Sequence, residues 1–141
     1  MRDSLLCPLC SGAGDELFHR DAQRDYYQCS VCCLVFVPPD QWLDAASEKA
    51  IYDQHQNNPD DENYRAFLKR LTDPLITKLS HHAVGLDFGS GPGPTLSLVM
   101  QEAGHEMQIY DPFYAPDQSV LDQLYDFITA TEVFEHLHQP G

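Results

Sequence analysis

The 141-residue chain carries 22 Asp and Glu residues against eight Lys and Arg, for a net charge of −14, and 43% of its residues are hydrophobic. That apolar fraction is normal for a folded protein and too high for a disordered one. The acidic surplus is uneven, because residues 81–141 hold nine acidic residues and no lysine or arginine. Such a surface repels phosphate backbones, so no nucleic-acid partner is expected.

The N-terminal stretch "MRDSLLCPLC" shows no signal peptide, and the longest apolar run, "VCCLVFV", is too short to cross a bilayer. These features predict a soluble, cytoplasmic protein with no membrane partner. In that compartment cysteines stay reduced, so paired cysteines indicate metal binding before disulfides.

Four of the five cysteines form two Cys-x-x-Cys pairs that are 18 residues apart: Cys7 and Cys10, then Cys29 and Cys32. Two such turns complete a tetrahedral thiolate shell, and this spacing is typical of zinc ribbons. The pattern therefore predicts a four-cysteine zinc ribbon over residues 1–39, with short strands in "RDYYQC" and "CLVFV". Four thiolates leave no open position, so the zinc is predicted to be structural.

Other interpretations of the cysteines are a reduced set of core residues or a thioredoxin-like redox pair. The remaining cysteine, Cys33, either replaces Cys32 as a ligand or lies buried in the following strand.

Residues 40–82 have helical periodicity and are predicted to form a helical segment between two domains. Asp40 is placed to cap a first helix. Asn58 is the expected N-cap of a second helix, with Pro59 at its first position. Asp73-Pro74 repeats the cap-and-proline signal and predicts a further short helix.

Residues 83–141 alternate strand and helix signals: the strand "AVGLDF", the helix "PTLSLVMQEAG" stopped by Gly104, and the strands "EMQIYD" and "YDFITATE". This alternation predicts an α/β fold with a Rossmann-like, doubly wound parallel sheet. His105, between the helix and the second strand, is expected at the surface.

The loop after the first strand, Asp87-Phe-Gly89-Ser-Gly91-Pro-Gly93, is built for close approach of a ligand to the backbone. A dinucleotide loop would offer free amides to a pyrophosphate. Here Pro92 and Pro94 remove two amides and Asp87 adds a carboxylate, so the loop favours a cationic ligand.

Asp111 ends the next strand, 18 residues after Gly93. A carboxylate in that place accepts hydrogen bonds from the two hydroxyls of a ribose. A ligand with a ribose, a positive charge and no phosphate is therefore expected, and S-adenosylmethionine has these properties.

At these residues the sequence resembles the class I S-adenosylmethionine-dependent methyltransferases, through "GLDFGSGPG", "IYDP" and "YDFITATEVFEHL" in that order. The resemblance covers residues 83–138. It implies that Asp111 binds the ribose and that four residues line the methionine end of the cofactor: Asp87, Gly89, Gly91 and Gly93. A cysteine module before such a domain is similar to that of sugar C-methyltransferases and some other small-molecule methyltransferases.

The sequence departs from that family after Asp111. Only about 15 residues separate Asp111 from the strand at Tyr125–Phe127, so the usual third strand and helix are expected to be shortened or missing. The strands that normally follow "YDFITATE" are absent as well. We therefore expect an incomplete sheet, a chain that is a fragment of a longer protein, and little activity of the chain alone.

Glu132 and His136 are the candidate catalytic residues, because they follow the last strand where the ligand crevice lies. His136 has a suitable pKa range for a general base. A structural role, with the histidine packing a helix start and the glutamates capping amides, is the alternative. The pattern Glu-x-x-Glu-His also resembles the metal-binding stretch of certain RNA 2′-O-methyltransferases.

The function predicted from the sequence is S-adenosylmethionine-dependent methyl transfer to a small molecule. One alternative is a non-catalytic zinc-ribbon and cofactor-binding module that acts through protein contacts. An RNA methyltransferase is the other, against which the absence of basic residues after position 80 argues.

Overall fold

The computed structural model describes residues 5–14, 16–55 and 58–141, which form two compact units. The first, here called the ribbon unit, groups the described residues up to Ala45 with Phe134–Gly141. The second, the parallel-sheet unit, is Ala46–Val133. Within the described ranges no helix has the length and apolar character that a bilayer crossing requires.

The ribbon unit contains a three-stranded antiparallel sheet in the order β1-β2-β3, with β1 at Glu16–Arg20, β2 at Asp25–Gln28 and β3 at Val35–Phe36. β2 and β3 are the two strands predicted from the sequence. β1 was not predicted, because all five of its side chains are exposed and show no buried alternation. Its backbone pairing with β2 defines it as a strand instead.

The core of the ribbon unit is small. Its buried members are Cys7, Cys29 and Phe36, and partly buried Leu5, Tyr27 and Leu34 pack against them. After β3, Asp40 lies inside a 3-10 turn at Pro39–Gln41 and does not cap the first helix. Trp42 follows this turn, donates its indole N–H to the Val37 carbonyl at 2.9 Å, and stacks on His138 with ring centres 4.3 Å apart.

The first two helices begin later than the sequence predicted. Helix α1 is Ala45–Tyr52 and helix α2 is Glu62–Ile76. The N-cap of α2 is Asp61, whose carboxylate accepts the N–H groups of Asn63 and Tyr64, and not Asn58. The Asn58 side chain instead accepts the N–H of Asp60 and closes a turn before the helix.

Pro74 lies inside α2 and does not start a new helix. A proline removes one backbone donor and normally breaks a helix. Here the apolar stripe continues past it, because Leu75 and Ile76 both pack against the core of the parallel-sheet unit. That packing holds the last turn in helical form.

The parallel-sheet unit has three strands in the order β5-β4-β6, all parallel: β4 at Val84–Phe88, β5 at Glu106–Tyr110 and β6 at Phe127–Thr129. Helix α3, Thr95–Glu102, connects β4 to β5, and Gly104 follows it with a φ of +93°. These elements match the sequence prediction of an α/β fold with a parallel sheet. The buried core is formed by side chains from α2, α3 and β5: Leu68, Leu96, Met100 and Met107.

The connection from β5 to β6 contains a 3-10 helix at Gln118–Asp122 and no strand, as the short spacing predicted. About a dozen residues suffice to cross between parallel strands, so the connection is long enough.

His105 is buried, contrary to expectation, and its Nδ1 accepts the N–H of Ala83 at 3.2 Å. Its imidazole therefore joins the starts of β4 and β5.

Candidate cofactor and metal sites

The carboxyl ends of the parallel strands gather the acidic residues of the candidate cofactor site. β4 lies between β5 and β6, so the direction in which strands are added reverses at β4. In open α/β sheets ligands bind at such a reversal, outside the carboxyl ends of the strands. Asp87 lies near the end of β4, paired with Thr129 of β6, and Asp111 directly follows β5. The structure thus brings Asp87 and Asp111 to one edge of the sheet.

The glycine loop after β4 is fastened to the end of β5 by its own amides. The N–H groups of Gly89 and Ser90 both donate to the Tyr110 carbonyl, at 2.8 and 3.1 Å. The Gly91 N–H donates to Asp111 Oδ2 at 3.0 Å. These three donors are therefore already used before any ligand binds.

Two glycines of the loop need the conformation that only glycine adopts easily, since φ is +77° at Gly89 and +70° at Gly91. Gly89 is also crowded, because a Cβ there would stand 2.4 Å from Cγ2 of Val133. Gly93 lies at the end of the loop, where its carbonyl accepts the Thr95 N–H.

Few donors remain in this loop for a phosphate. Three amides are engaged, Pro92 and Pro94 have none, and residues 81–141 contain no lysine or arginine. A pyrophosphate needs free amides or cationic side chains. The loop geometry therefore disfavours a dinucleotide, as the sequence suggested.

The hydroxyl of Ser90 is buried in this loop and has no hydrogen-bond partner among the residues that the structure describes. A buried polar atom without a partner destabilises the protein unless a water or ligand satisfies it. This orphaned hydroxyl fits a polar ligand at the loop.

Asp87 is buried, with 3% of its surface exposed, and its Oδ1 accepts a hydrogen bond of 2.8 Å from the Thr129 hydroxyl. Burial raises the pKa of Asp87 to about 6, and the nearby charge of Asp111 adds to that effect, whereas the Thr129 hydrogen bond opposes it. Ionising this carboxyl group therefore costs free energy, because it is poorly solvated. A nearby cationic group would favour its charged form.

Asp111 has a mainly structural set of contacts. Besides the Gly91 N–H at Oδ2, its Oδ1 accepts the N–H groups of Phe113 and Tyr114 at 2.9 and 3.2 Å. Two carboxylate oxygens offer about four acceptor sites in total, so roughly one is left. The two-hydroxyl ribose contact expected from the sequence exceeds what remains, unless one of these amides is released.

Tyr64 of α2 is partly buried and is influenced by the charges of this site, although it lies outside the motifs identified from the sequence. Burial raises the pKa of its phenol, and the charges of Asp87 and Glu132 raise it further. The phenol is therefore coupled electrostatically to both carboxylates. The sequence feature that points to Tyr64 is the presence of a polar phenol hydroxyl within the apolar stripe of α2.

The two candidate catalytic residues belong to different units. Glu132 is exposed near the end of the parallel-sheet unit and has a φ of +53°, a conformation that costs energy for a residue with a side chain. His136 is exposed in a 3-10 turn, Phe134–His136, of the ribbon unit. The acidic and histidine side chains of residues 132–136 do not form a metal-binding group within the described part of the chain.

The four paired cysteines come together in the ribbon unit. The Sγ atoms of Cys7, Cys10, Cys29 and Cys32 all lie within 4.8 Å of one another. Two of the separations, Cys7 to Cys32 and Cys10 to Cys29, are both 3.6 Å. A tetrahedral zinc with sulfurs at its usual bond length separates them by roughly 3.8 Å. The cluster therefore fits a zinc ion.

The two Cys-x-x-Cys turns share one backbone design. Ser11 N–H donates to the Cys7 carbonyl at 2.9 Å, and Cys33 N–H donates to the Cys29 carbonyl at 3.0 Å. Ser11 and Cys33 also both have positive φ, at 59° and 64°. Each is thus the corner residue that directs the chain away from the sulfurs.

This equivalence explains Cys33, which is exposed and outside the four-sulfur group. It neither replaces Cys32 nor lies buried in β3. At Cys29, donation from the N–H groups of Cys32 and Val31 to the sulfur lowers the thiol pKa to about 6, which favours the thiolate that a metal needs.

Comparison with known families agrees with this geometry. Residues 60–141 match the family profile described as "Methyltransferase domain". No curated protein and no solved structure matches the chain. The match covers more than half of the chain and includes α2, the glycine loop, Asp111 and β6. The chain therefore belongs to the class I S-adenosylmethionine-dependent methyltransferases, with a four-cysteine cluster of possible metal-binding function before that domain.

Proposed function

We propose that this chain binds S-adenosylmethionine at the carboxyl edge of β4 and supports methyl transfer to a small molecule. The observation that carries the proposal is the pairing of a buried carboxylate, Asp87, with a glycine loop whose first three amides are already used. A buried carboxylate stabilises a bound cation, whereas a phosphate would find few free N–H donors in this loop. When bound, S-adenosylmethionine supplies a methyl group activated by a positively charged sulfur.

The residues of this chain would hold the cofactor in distinct ways. The Asp87 carboxylate would face its cationic methionine end, and the bare backbone of Gly89, Gly91 and Gly93 would permit close approach. The orphaned Ser90 hydroxyl would gain a hydrogen-bond partner. Asp111 has about one acceptor site left, so we infer that it takes one ribose hydroxyl.

Glu132 and His136 are our candidates for handling the proton of the acceptor. Methyl transfer depends mainly on aligning the nucleophile, the methyl carbon and the sulfur. We therefore expect their substitution to lower turnover and to leave cofactor binding largely intact.

A small molecule is the proposed acceptor because residues 81–141, which contain the three parallel strands and all of the glycine loop, carry nine acidic residues and no lysine or arginine. RNA binding relies on lysine and arginine contacts to phosphates. The zinc that we propose for the four cysteines is structural, since four thiolates leave no coordination position for a substrate.

Calorimetry with S-adenosylmethionine, S-adenosylhomocysteine and NAD tests the binding proposal. We expect S-adenosylmethionine to bind more tightly than NAD, and Asp111→Ala to weaken its binding by about 1.5–3 kcal/mol, the scale of hydrogen bonds to a charged group. Asp122→Ala is the matched control, because it removes one exposed carboxylate, in the 3-10 helix Gln118–Asp122. Tighter binding of NAD, or indifference to Asp111→Ala, would contradict the proposal.

Turnover separates the alternatives. Formation of S-adenosylhomocysteine with small-molecule acceptors supports the proposed function. Because little activity is expected of the chain alone, the assay includes any longer protein that contains it. Cofactor binding without turnover in that longer protein would favour the non-catalytic module, and turnover with RNA alone would favour an RNA methyltransferase.

A further inference from the structure

The side chain of Thr129 makes one contact that the proposed cofactor contacts leave unexplained. Thr129 is the last residue of β6 and is 3% exposed. Its hydroxyl donates to Asp87 Oδ1 at 2.8 Å, across the strand pair that forms the reversal point of the sheet. No other hydrogen bond to the Asp87 side chain occurs among the described residues.

The surroundings of Asp87 contain further acidic groups and no described cation. Asp111, after β5, opposes its ionisation, and the phenol of Tyr64 on α2 responds to the charges of both Asp87 and Glu132. The neighbouring helix α3 has buried uncharged residues, such as Thr95 and Ser97, at this end. The Thr129 hydroxyl is therefore the only described side-chain donor that favours the ionised form of Asp87.

We propose that Thr129 is a positioning residue that keeps the Asp87 carboxylate ionised and orients it, leaving Oδ2 to face the cationic end of the cofactor. A hydroxyl that donates to one oxygen fixes the plane of the carboxylate. It also supplies the charge stabilisation that the buried, acidic surroundings do not. The inference about cofactor binding rests on the proposed function, but the effect on Asp87 itself does not.

The first test measures ionisation of Asp87 in the cofactor-free 141-residue chain by NMR titration of side-chain carboxyl signals, with Asp87→Asn to assign the resonance. We expect the midpoint, about 6 in the unsubstituted chain, to rise by about one pH unit in Thr129→Val, because a hydrogen bond to the charged form is lost. Thr129→Ser retains the hydroxyl and should keep the original midpoint. An unchanged midpoint in Thr129→Val overturns the inference, whether or not the chain binds S-adenosylmethionine.

The second test measures S-adenosylmethionine affinity at pH 6 and pH 8. A rise of one unit in the midpoint predicts that Thr129→Val weakens binding about five-fold more at pH 6 than at pH 8. At pH 8 Asp87 is ionised in both chains, so only the loss of carboxylate orientation contributes. A residue that served only packing would weaken binding equally at both pH values, and that result would overturn the positioning role. If Thr129→Val does not fold, Thr129→Ala replaces it, with circular dichroism as the check. Absence of binding by the unsubstituted chain at pH 8 would contradict the proposed function and leave the titration to decide on Thr129.

Discussion

The ribbon unit and the parallel-sheet unit each contain three strands, but their sheets are stabilised in different ways. Every side chain of β1 is exposed, and the hydrophobic cluster of the described ribbon residues has only three buried members, Cys7, Cys29 and Phe36. In the parallel-sheet unit, the three central residues of β4 are buried. Four buried apolar side chains from α2, α3 and β5 also pack together there. A module of about 40 residues rarely has enough apolar core to fold alone. Apolar packing stabilises the second unit, and we propose that sulfur–metal bonds at the four-cysteine cluster stabilise the first.

Removing one metal ligand should have the largest effect and should be confined to the ribbon unit. Thiolate zinc sites contribute on the order of 10 kcal/mol to folding, so Cys32→Ser is expected to lose zinc and unfold the ribbon while the parallel sheet persists. Elemental analysis and amide hydrogen exchange measure these outcomes. The adjacent, exposed Cys33→Ser is the control and should keep one zinc per chain. Stoichiometric zinc in Cys32→Ser, or its loss in Cys33→Ser, would contradict the assignment.

A cavity in the apolar core should affect only the parallel-sheet unit. Leu68 of α2 is 2% exposed, and Leu68→Ala is expected to lower the free energy of unfolding by about 2–5 kcal/mol with zinc content unchanged. Leu71→Ala, in the same helix but at a side chain 39% exposed, should cost much less. Urea denaturation compares the two variants. Equal destabilisation would show that the core lies elsewhere.

Adding a single methyl group should lower the stability of the fold more in the glycine loop than in the turn after α3. Gly89 and Gly104 both have positive φ, but only Gly89 has a neighbour, Val133, where a Cβ would lie. Gly104→Ala is expected to cost about 1–2 kcal/mol from backbone strain, and Gly89→Ala about 1–3 kcal/mol more from the clash. Thermal unfolding measures both. In the Gly89→Ala background, Val133→Ala should recover the clash component, and failure to do so would contradict this packing.

The smallest expected effect is a gain in stability at neutral pH when Asp87 loses its charge. The folded-state pKa of Asp87 is raised from 3.8 to about 6, so between these values the folded chain binds the proton more readily than the unfolded chain. This carboxyl therefore destabilises the fold above pH 6, and the penalty disappears as pH falls towards 4. Asp87→Asn should stabilise the cofactor-free chain at pH 7.5 by about 1–3 kcal/mol. Denaturation from pH 4 to 8 tests this, with Asp122→Asn as control, and an unchanged pH slope would argue against it.

Local signals predicted most of the parallel-sheet unit and both cysteine turns. The strands β4 to β6 and helix α3 follow from alternating strand and helix signals, and the turns follow from cysteine spacing. The start of α2 was misplaced because Asn58 and Asp61 both precede helical residues, and only the structure shows which side chain accepts the helix amides. β1 was missed because strand pairing, and not side-chain burial, defines it.

Some residues of the candidate site can also be identified from local sequence, whereas others depend on tertiary structure. Asp87 and the glycines are visible in the sequence because they form a continuous motif. Thr129 contacts Asp87 only because of strand order, and Tyr64 is influenced by the charge of Asp87 only because of where α2 packs. Local patterns contain neither strand order nor helix packing. The amides bound by Asp111 were equally hidden, because they depend on how the chain turns after β5.

The Tyr110 carbonyl, which accepts the N–H groups of both Gly89 and Ser90, has a consequence for how a ligand enters. A loop tied to its neighbouring strand by folding is preorganised, so little conformational entropy is lost when a ligand arrives. Association should then be a single-step encounter, with no slow phase from loop ordering. The same rigidity prevents the loop from widening around a bulkier group, so it selects ligands by shape as well as by charge.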